Sequence, residues 1–151
     1  MYKPLRKFRT VEFTGDTRNH SIVIGDYGDL RMKVKGTFDL SGLIYCLRST
    51  VELTVAGDGK LSFRGACKQL ILKNIEGNCT LDLSHFYSEL VWCESAKGKA
   101  QIILGNVKFI ESVELDDEAS IQYTGNSPVL RYSIRGNSRL YCPSAELVAT
   151  R

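Results

Sequence analysis

The sequence predicts an all-β protein, a parallel β-helix in which coils of about 20 residues stack on one another. Short segments of alternating apolar and polar residues, such as Val51–Val55, recur about every ten residues, and this alternation places the apolar side chains on one face of a strand. Eight of the 13 glycines directly precede Asp or Asn, a combination typical of tight turns. No proline lies between residues 5 and 127, as expected where backbone N–H groups feed a sheet.

A repeated motif sets the period of the coils. It consists of glycine or a polar residue followed by two apolar residues that alternate with other residues. Its leading apolar residues are separated by 20, 21, 19 and 19 residues, and a steady period of this length indicates a stacked repeat. In a solenoid they would form one column with a spacing of about 4.8 Å. These residues are Leu61, Leu81, Ile102, Ile121 and Leu140.

An antiparallel β-sandwich is the alternative architecture, since it too consists of short strands joined by glycine-containing turns. Sandwich strands have no reason to repeat a motif at every second strand. The observed motif does so, and the repeat therefore favours the solenoid.

The 151 residues fit a single domain, 1–151. Leu30 and Leu61 are 31 residues apart, so the sequence indicates an irregular coil or an insertion at residues 36–48. The predicted parts are irregular N-terminal coils at 1–50, regular repeats at 51–140 and a C-terminal cap at 141–151.

The charge balance argues against a nucleic-acid partner. The net charge is only +3 and the charges are spread along the chain, whereas nucleic-acid binding needs a concentrated basic surface. The N-terminal cluster of Lys3, Arg6, Lys7 and Arg9 is interpreted as a solvated arm. No apolar stretch reaches the length of a membrane span.

The five cysteines favour a reducing compartment. None forms a Cys-x-x-Cys pair, so the sequence gives no indication of zinc, and an odd number would leave one thiol unpaired under oxidising conditions. The N-terminus also lacks a signal-peptide pattern. We therefore expect a cytoplasmic location if the chain is complete. The cysteines are Cys46, Cys67, Cys79, Cys93 and Cys142.

Two segments, Val51–Phe63 and Ile121–Leu140, resemble the autotransporter adhesin head family called the GIN domain. That family repeats V-x-G-x-G-x-[VL] units and closes with a tyrosine, Gly-Asn, a proline and a final glycine turn. The resemblance covers about residues 50 to 140 and implies a right-handed parallel β-helix without established enzyme activity. It also implies export to the periplasm or cell surface of Bacteroidetes-type bacteria. The missing export signal and the five cysteines depart from the family.

Residues capable of catalysis or metal binding are scattered, so we expect no catalytic residue, metal or cofactor. His20 and His85 have no partner at ligand spacing, and Asp116–Glu118 is typical of a solvated turn rather than of a cation site with converging oxygens. A deep pocket lined by two carboxylates, or by a carboxylate with His20 or His85, would contradict this expectation.

The aromatic residues Phe86, Tyr87 and Trp92 are the candidate partner-binding residues, because a surface cluster of rings can stack on a sugar or a protein side chain. Filling a wide part of the core is the alternative role. The sequence thus predicts a non-catalytic, adhesin-like module that binds a protein or glycan. The alternatives are a structural protein that polymerises end to end, and a β-helix carbohydrate-active enzyme. The sequence also allows a homo-oligomer that forms through the end coils or a flat sheet face.

Overall fold

The computed structural model describes residues 8–25, 28–124 and 127–143. It confirms the predicted β-solenoid: the strands pair in parallel, and coils about 21 residues apart stack through about six turns. The strands are β1 (Phe8–Ile24), β2 (Asp29–Gly77), β3 (Cys79–Gly98), β4 (Gln101–Leu104), β5 (Val107–Leu115), β6 (Ser120–Gln122), β7 (Tyr132–Ile134) and β8 (Arg139–Tyr141).

The strands of the N-terminal half run around the corners of the coils. Strand β2 is 49 residues long, more than two coils, because ladder hydrogen bonds continue through its bends. After β3 the coils divide into separate strands on two faces: β4, β6 and β8 stack on one, and β5 and β7 on the other. A residue's neighbours in space are therefore the residues one coil before and after it.

The predicted apolar column is confirmed in register. Leu61 pairs with Leu81, which pairs with Ile102, and the column continues through Ile121 to Leu140. Ile102, at its centre, is only 1% exposed. Parallel columns of Leu, Val, Ile and Phe fill the rest of the interior, so the core extends along the whole axis.

The irregular coil or insertion expected at residues 36–48 is not observed, because these residues lie within β2. Residues 29–44 pair with β1 with a single register shift, and Phe38, Leu40 and Ile44 are buried like the residues of later coils. The error arose because Leu30 and Leu61 belong to different columns. Leu40, 21 residues before Leu61, is the apolar residue one coil earlier.

One corner of the solenoid is a column of residues with positive φ. Gly15, Gly36, Gly57, Gly77, Gly98 and Gly136 share this conformation, and Asp117 takes it with φ 58° between the last two. A Cβ on Gly77 would lie 2.2 Å from the carbonyl oxygen of Gly57 in the coil before. Glycine here permits both the backbone conformation and close stacking.

The first coil carries polar residues at three positions that pair with apolar core residues of the next coil. Arg9, Thr17 and His20 pair with Leu30, Phe38 and Leu40 of the next coil. The prediction that Arg9 belongs to a solvated arm is wrong: its guanidinium is half-buried and donates to the Gly25 carbonyl at 2.9 Å. Lys3, Arg6 and Lys7 lie outside the described residues, as do positions 144–151 of the predicted cap.

Candidate functional site

A groove follows one corner of the solenoid over five successive coils and has a volume of about 400 Å³. This size falls within the range of about 300–1,000 Å³ typical of ligand sites. We call it the corner groove. It is lined by Asp29, Arg48, Thr50, Lys68, Gln69, Glu89, Leu90 and Phe109.

The floor of the corner groove is apolar at its C-terminal end. Leu90 pairs with Phe109 of the next coil, and the Phe109 ring is 42% exposed. Trp92 follows Leu90 by two residues and is 36% exposed. Because side chains two apart on a strand face the same way, Trp92 extends this surface, and Ile71 pairs with it from the coil before.

The N-terminal end of the groove is polar and already partly ordered. The backbone N–H of Thr50 donates to the Asp29 carboxylate at 2.9 Å, and the Thr50 hydroxyl donates to the side-chain oxygen of Gln69 at 3.4 Å. Gln69 therefore retains its amide N–H groups for a ligand.

The charges around the groove are balanced. Arg48 and Lys68 contribute two positive charges, and Asp29 and Glu89 contribute two negative charges. Elsewhere on the sheet, charged side chains pair with the neighbouring coil, as in Glu76–Lys97 at 3.5 Å. Within the described residues Arg48, Lys68 and Glu89 form no such ion pair, so their polar groups can reach a ligand.

The three aromatic residues predicted as one patch point in different directions. Phe86 is buried in the core at 3% exposure, so it cannot contact a partner. Tyr87 is half-buried and pairs with Ala66 at another position around the coil. Trp92 lies on the surface beside the corner groove, with the Arg131 guanidinium 6.0 Å from its ring centre.

Leu90, Phe109 and Gln69 were missed because they are separated along the chain. Gln69 pairs with Leu90 and Leu90 with Phe109, steps of 21 and 19 residues. The period found in the core column would have placed them in one surface column as well.

A second, smaller cleft brings His85 close to a carboxylate. Arg64 pairs with His85 and Ser62 with Asp82, and a cleft of about 150 Å³ lies among these side chains, Ser21, Ser41 and Ser84. A carboxylate and His85 line the same cleft, so its residues meet the first part of the condition that would contradict a non-catalytic role. The depth does not, since the volume is about half the lower bound for ligand sites.

The chemistry of this cleft is limited by the state of Asp82. Hydrogen bonds from the side chain and the backbone N–H of Ser84 lower the pKa of the Asp82 carboxyl. A carboxylate that stays ionised cannot donate a proton at neutral pH. Hydrolysis of a glycosidic bond by the common mechanism also requires a second carboxyl group, and among the described residues that line the cleft Asp82 is the only acid.

In the acidic turn at Asp116–Glu118, two carboxylates accept hydrogen bonds from backbone N–H groups. The Asp117 carboxylate accepts from the N–H of Gly98 at 3.0 Å, and Asp116 accepts from the N–H of Asp117 at 2.8 Å. Asp116 also pairs with Arg135 at 3.5 Å. Across the described part of the chain, no group of three His, Cys, Asp or Glu residues is arranged to hold a metal ion.

All five cysteines are buried. Burial raises the pKa of the Cys79 thiol to about 11 and that of Cys93 to about 12, and it also raises the pKa of Cys67. Since the thiolate is the reactive form, these residues behave as small apolar side chains.

Compared with known proteins, the chain matches no family model, no curated protein and no solved structure. Within the described residues, no helix has the length and apolar character needed to cross a membrane.

Proposed function

We propose that this protein is a non-catalytic interaction module that binds a protein or glycan partner through the corner groove and the adjoining Trp92. The observation that carries the proposal is the exposure of Trp92 and Phe109 beside a column of polar groups. Exposed rings next to hydrogen-bonding groups are typical of recognition surfaces. The expected resemblance of residues 50–140 to the GIN domain agrees with the same proposal, because it implies a β-helix without established enzyme activity.

Assembly through the end coils is less well supported. A second copy stacking on the first coil would meet Arg9, Thr17 and His20 at positions that later coils fill with apolar residues. Polar residues on an edge strand protect it against such pairing.

The enzyme alternative depends on the cleft that holds Asp82 and His85. Its small volume, and the presence of one carboxyl group among its described lining residues, favour a non-catalytic role. A catalytic role would predict that His85→Ala abolishes turnover of a glycan that the protein binds, whereas our proposal predicts that no turnover occurs.

The proposal can be tested by capture of glycans on an array and, separately, of proteins from the cells that carry the gene. Immobilised wild-type protein should retain a partner in one of the two experiments, and Trp92→Ala with Phe109→Ala should lose it. Tyr45→Ala is the matched control, since Tyr45 is 48% exposed and does not line the groove. Retention that is unaffected by the double substitution, or conversion of the retained glycan to product, would refute the proposal.

A further inference from the structure

We infer that the occupant of the corner groove is a neutral, linear glycan that lies along the axis of the solenoid. This inference rests on the proposed function, because it specifies the partner of the same groove.

The size of the apolar surface favours a narrow ligand over a folded protein. An aromatic side chain offers about 150–250 Å², so the exposed parts of Trp92 and Phe109, 36% and 42%, together present about 120–200 Å². A stable protein interface takes about 800 Å² from each partner and has an extended apolar centre. Two partly exposed rings instead match the faces of a few sugar units.

The direction of the groove favours an extended chain. Its surface column contains Asp29, Thr50, Gln69, Leu90 and Phe109, one residue per coil. Four spacings of about 4.8 Å give a length of about 19 Å, enough for several successive sugar rings in an extended glycan. The apolar end would stack on ring faces, and the polar end would bond to hydroxyl groups.

The charge balance favours hydroxyl groups over acids. A sugar hydroxyl both donates and accepts hydrogen bonds, and the groove offers donors on Arg48 and Lys68, an acceptor on Glu89, and both kinds on Gln69. Because the carboxylates of Asp29 and Glu89 offset the positive charges of Arg48 and Lys68, the groove has no net positive charge to attract an acidic glycan or a nucleic acid. Binding that depends on phosphate contacts would also weaken steeply with salt.

The inference is tested with an array that carries neutral linear oligosaccharides, their uronic-acid counterparts and single-stranded oligonucleotides, at low and high salt. We expect wild-type protein to bind one or more neutral oligosaccharides, with little change between the salt concentrations. Trp92→Ala and Phe109→Ala should each lower the affinity about tenfold, which is about 1.4 kcal/mol. Tyr45→Ala and Lys99→Ala, both outside the groove, should bind as wild type does, and circular dichroism confirms that each variant is folded.

Binding only to acidic glycans or oligonucleotides, or binding that is lost at high salt, would overturn the inference that the ligand is a neutral glycan. Absence of glycan binding together with capture of a protein that depends on Trp92 would also overturn it, while leaving the proposed function intact. If substitutions at Trp92 and Phe109 change no binding of any kind, both conclusions fail.

Discussion

The stacked glycine corner can be tested by comparing alanine substitutions at two glycines of the same column, of which only one stacks on a preceding coil. Gly15 and Gly77 both have positive φ, +83° and +106°, so alanine at either position carries a backbone cost of about 1–2 kcal/mol. A Cβ on Gly15 would meet nothing within 4 Å, whereas one on Gly77 would lie 2.2 Å from the Gly57 carbonyl oxygen. Relieving that collision adds about 1–3 kcal/mol, the typical cost of overpacking.

We therefore expect Gly15→Ala to lower the free energy of unfolding by about 1–2 kcal/mol and Gly77→Ala by about 2–5 kcal/mol. At this chain length each kcal/mol shifts Tm by about 2–4 °C. Urea unfolding followed by circular dichroism measures both losses, and alanine's effect on the unfolded chain cancels in the comparison. Equal losses in the two variants would refute the claim that the coils stack backbone to backbone at this corner.

Three further predictions follow from the core, the thiols and the small cleft. Ile102→Asp buries an unpaired carboxylate and should cost several kcal/mol of a total of about 5–15; a soluble variant with unchanged Tm would exclude the core register. Thiol titration should count five cysteines in denaturant and fewer in the native protein, and a disulfide that survives purification would instead support export. Because the folded-state pKa of Asp82 is lowered, its contribution to stability is present above about pH 4 and is lost as pH falls through the folded pKa. Asp82→Asn should remove this part of the pH dependence of the free energy of unfolding. Identical unfolding curves for variant and wild type between pH 2 and about 5 would contradict the prediction.

The interior of this fold can be predicted from the sequence because the core columns repeat one residue type at one period. Leu61, Leu81 and Ile102 are all apolar, so their spacing is visible in the sequence. The first coils were misjudged where residues of two different columns, Leu30 and Leu61, were treated as equivalent.

The surface could not be predicted in the same way, because outward columns change residue type from coil to coil. Gln69, Leu90 and Phe109 form one column yet share no chemical property, and only the register of the coils connects them. Adjacency in sequence was misleading for Phe86 and Tyr87, since neighbouring residues on a strand face opposite sides. Asp82 and His85 line the same cleft where the register shifts between Ser62 and Arg64. No sequence pattern predicts this shift.

The parallel stacking of the coils has a consequence for how the chain folds during its synthesis. Each ladder joins residues about 21 positions apart, so a coil can form as soon as the next 21 residues have been made and no distant segment is needed. At a synthesis rate of about 5–20 residues per second, one coil is completed every ~1–4 s. Coils that pair as soon as they are made would extend the folded part from the N-terminus, and the unpaired edges are then those of the first coil and of the newest coil.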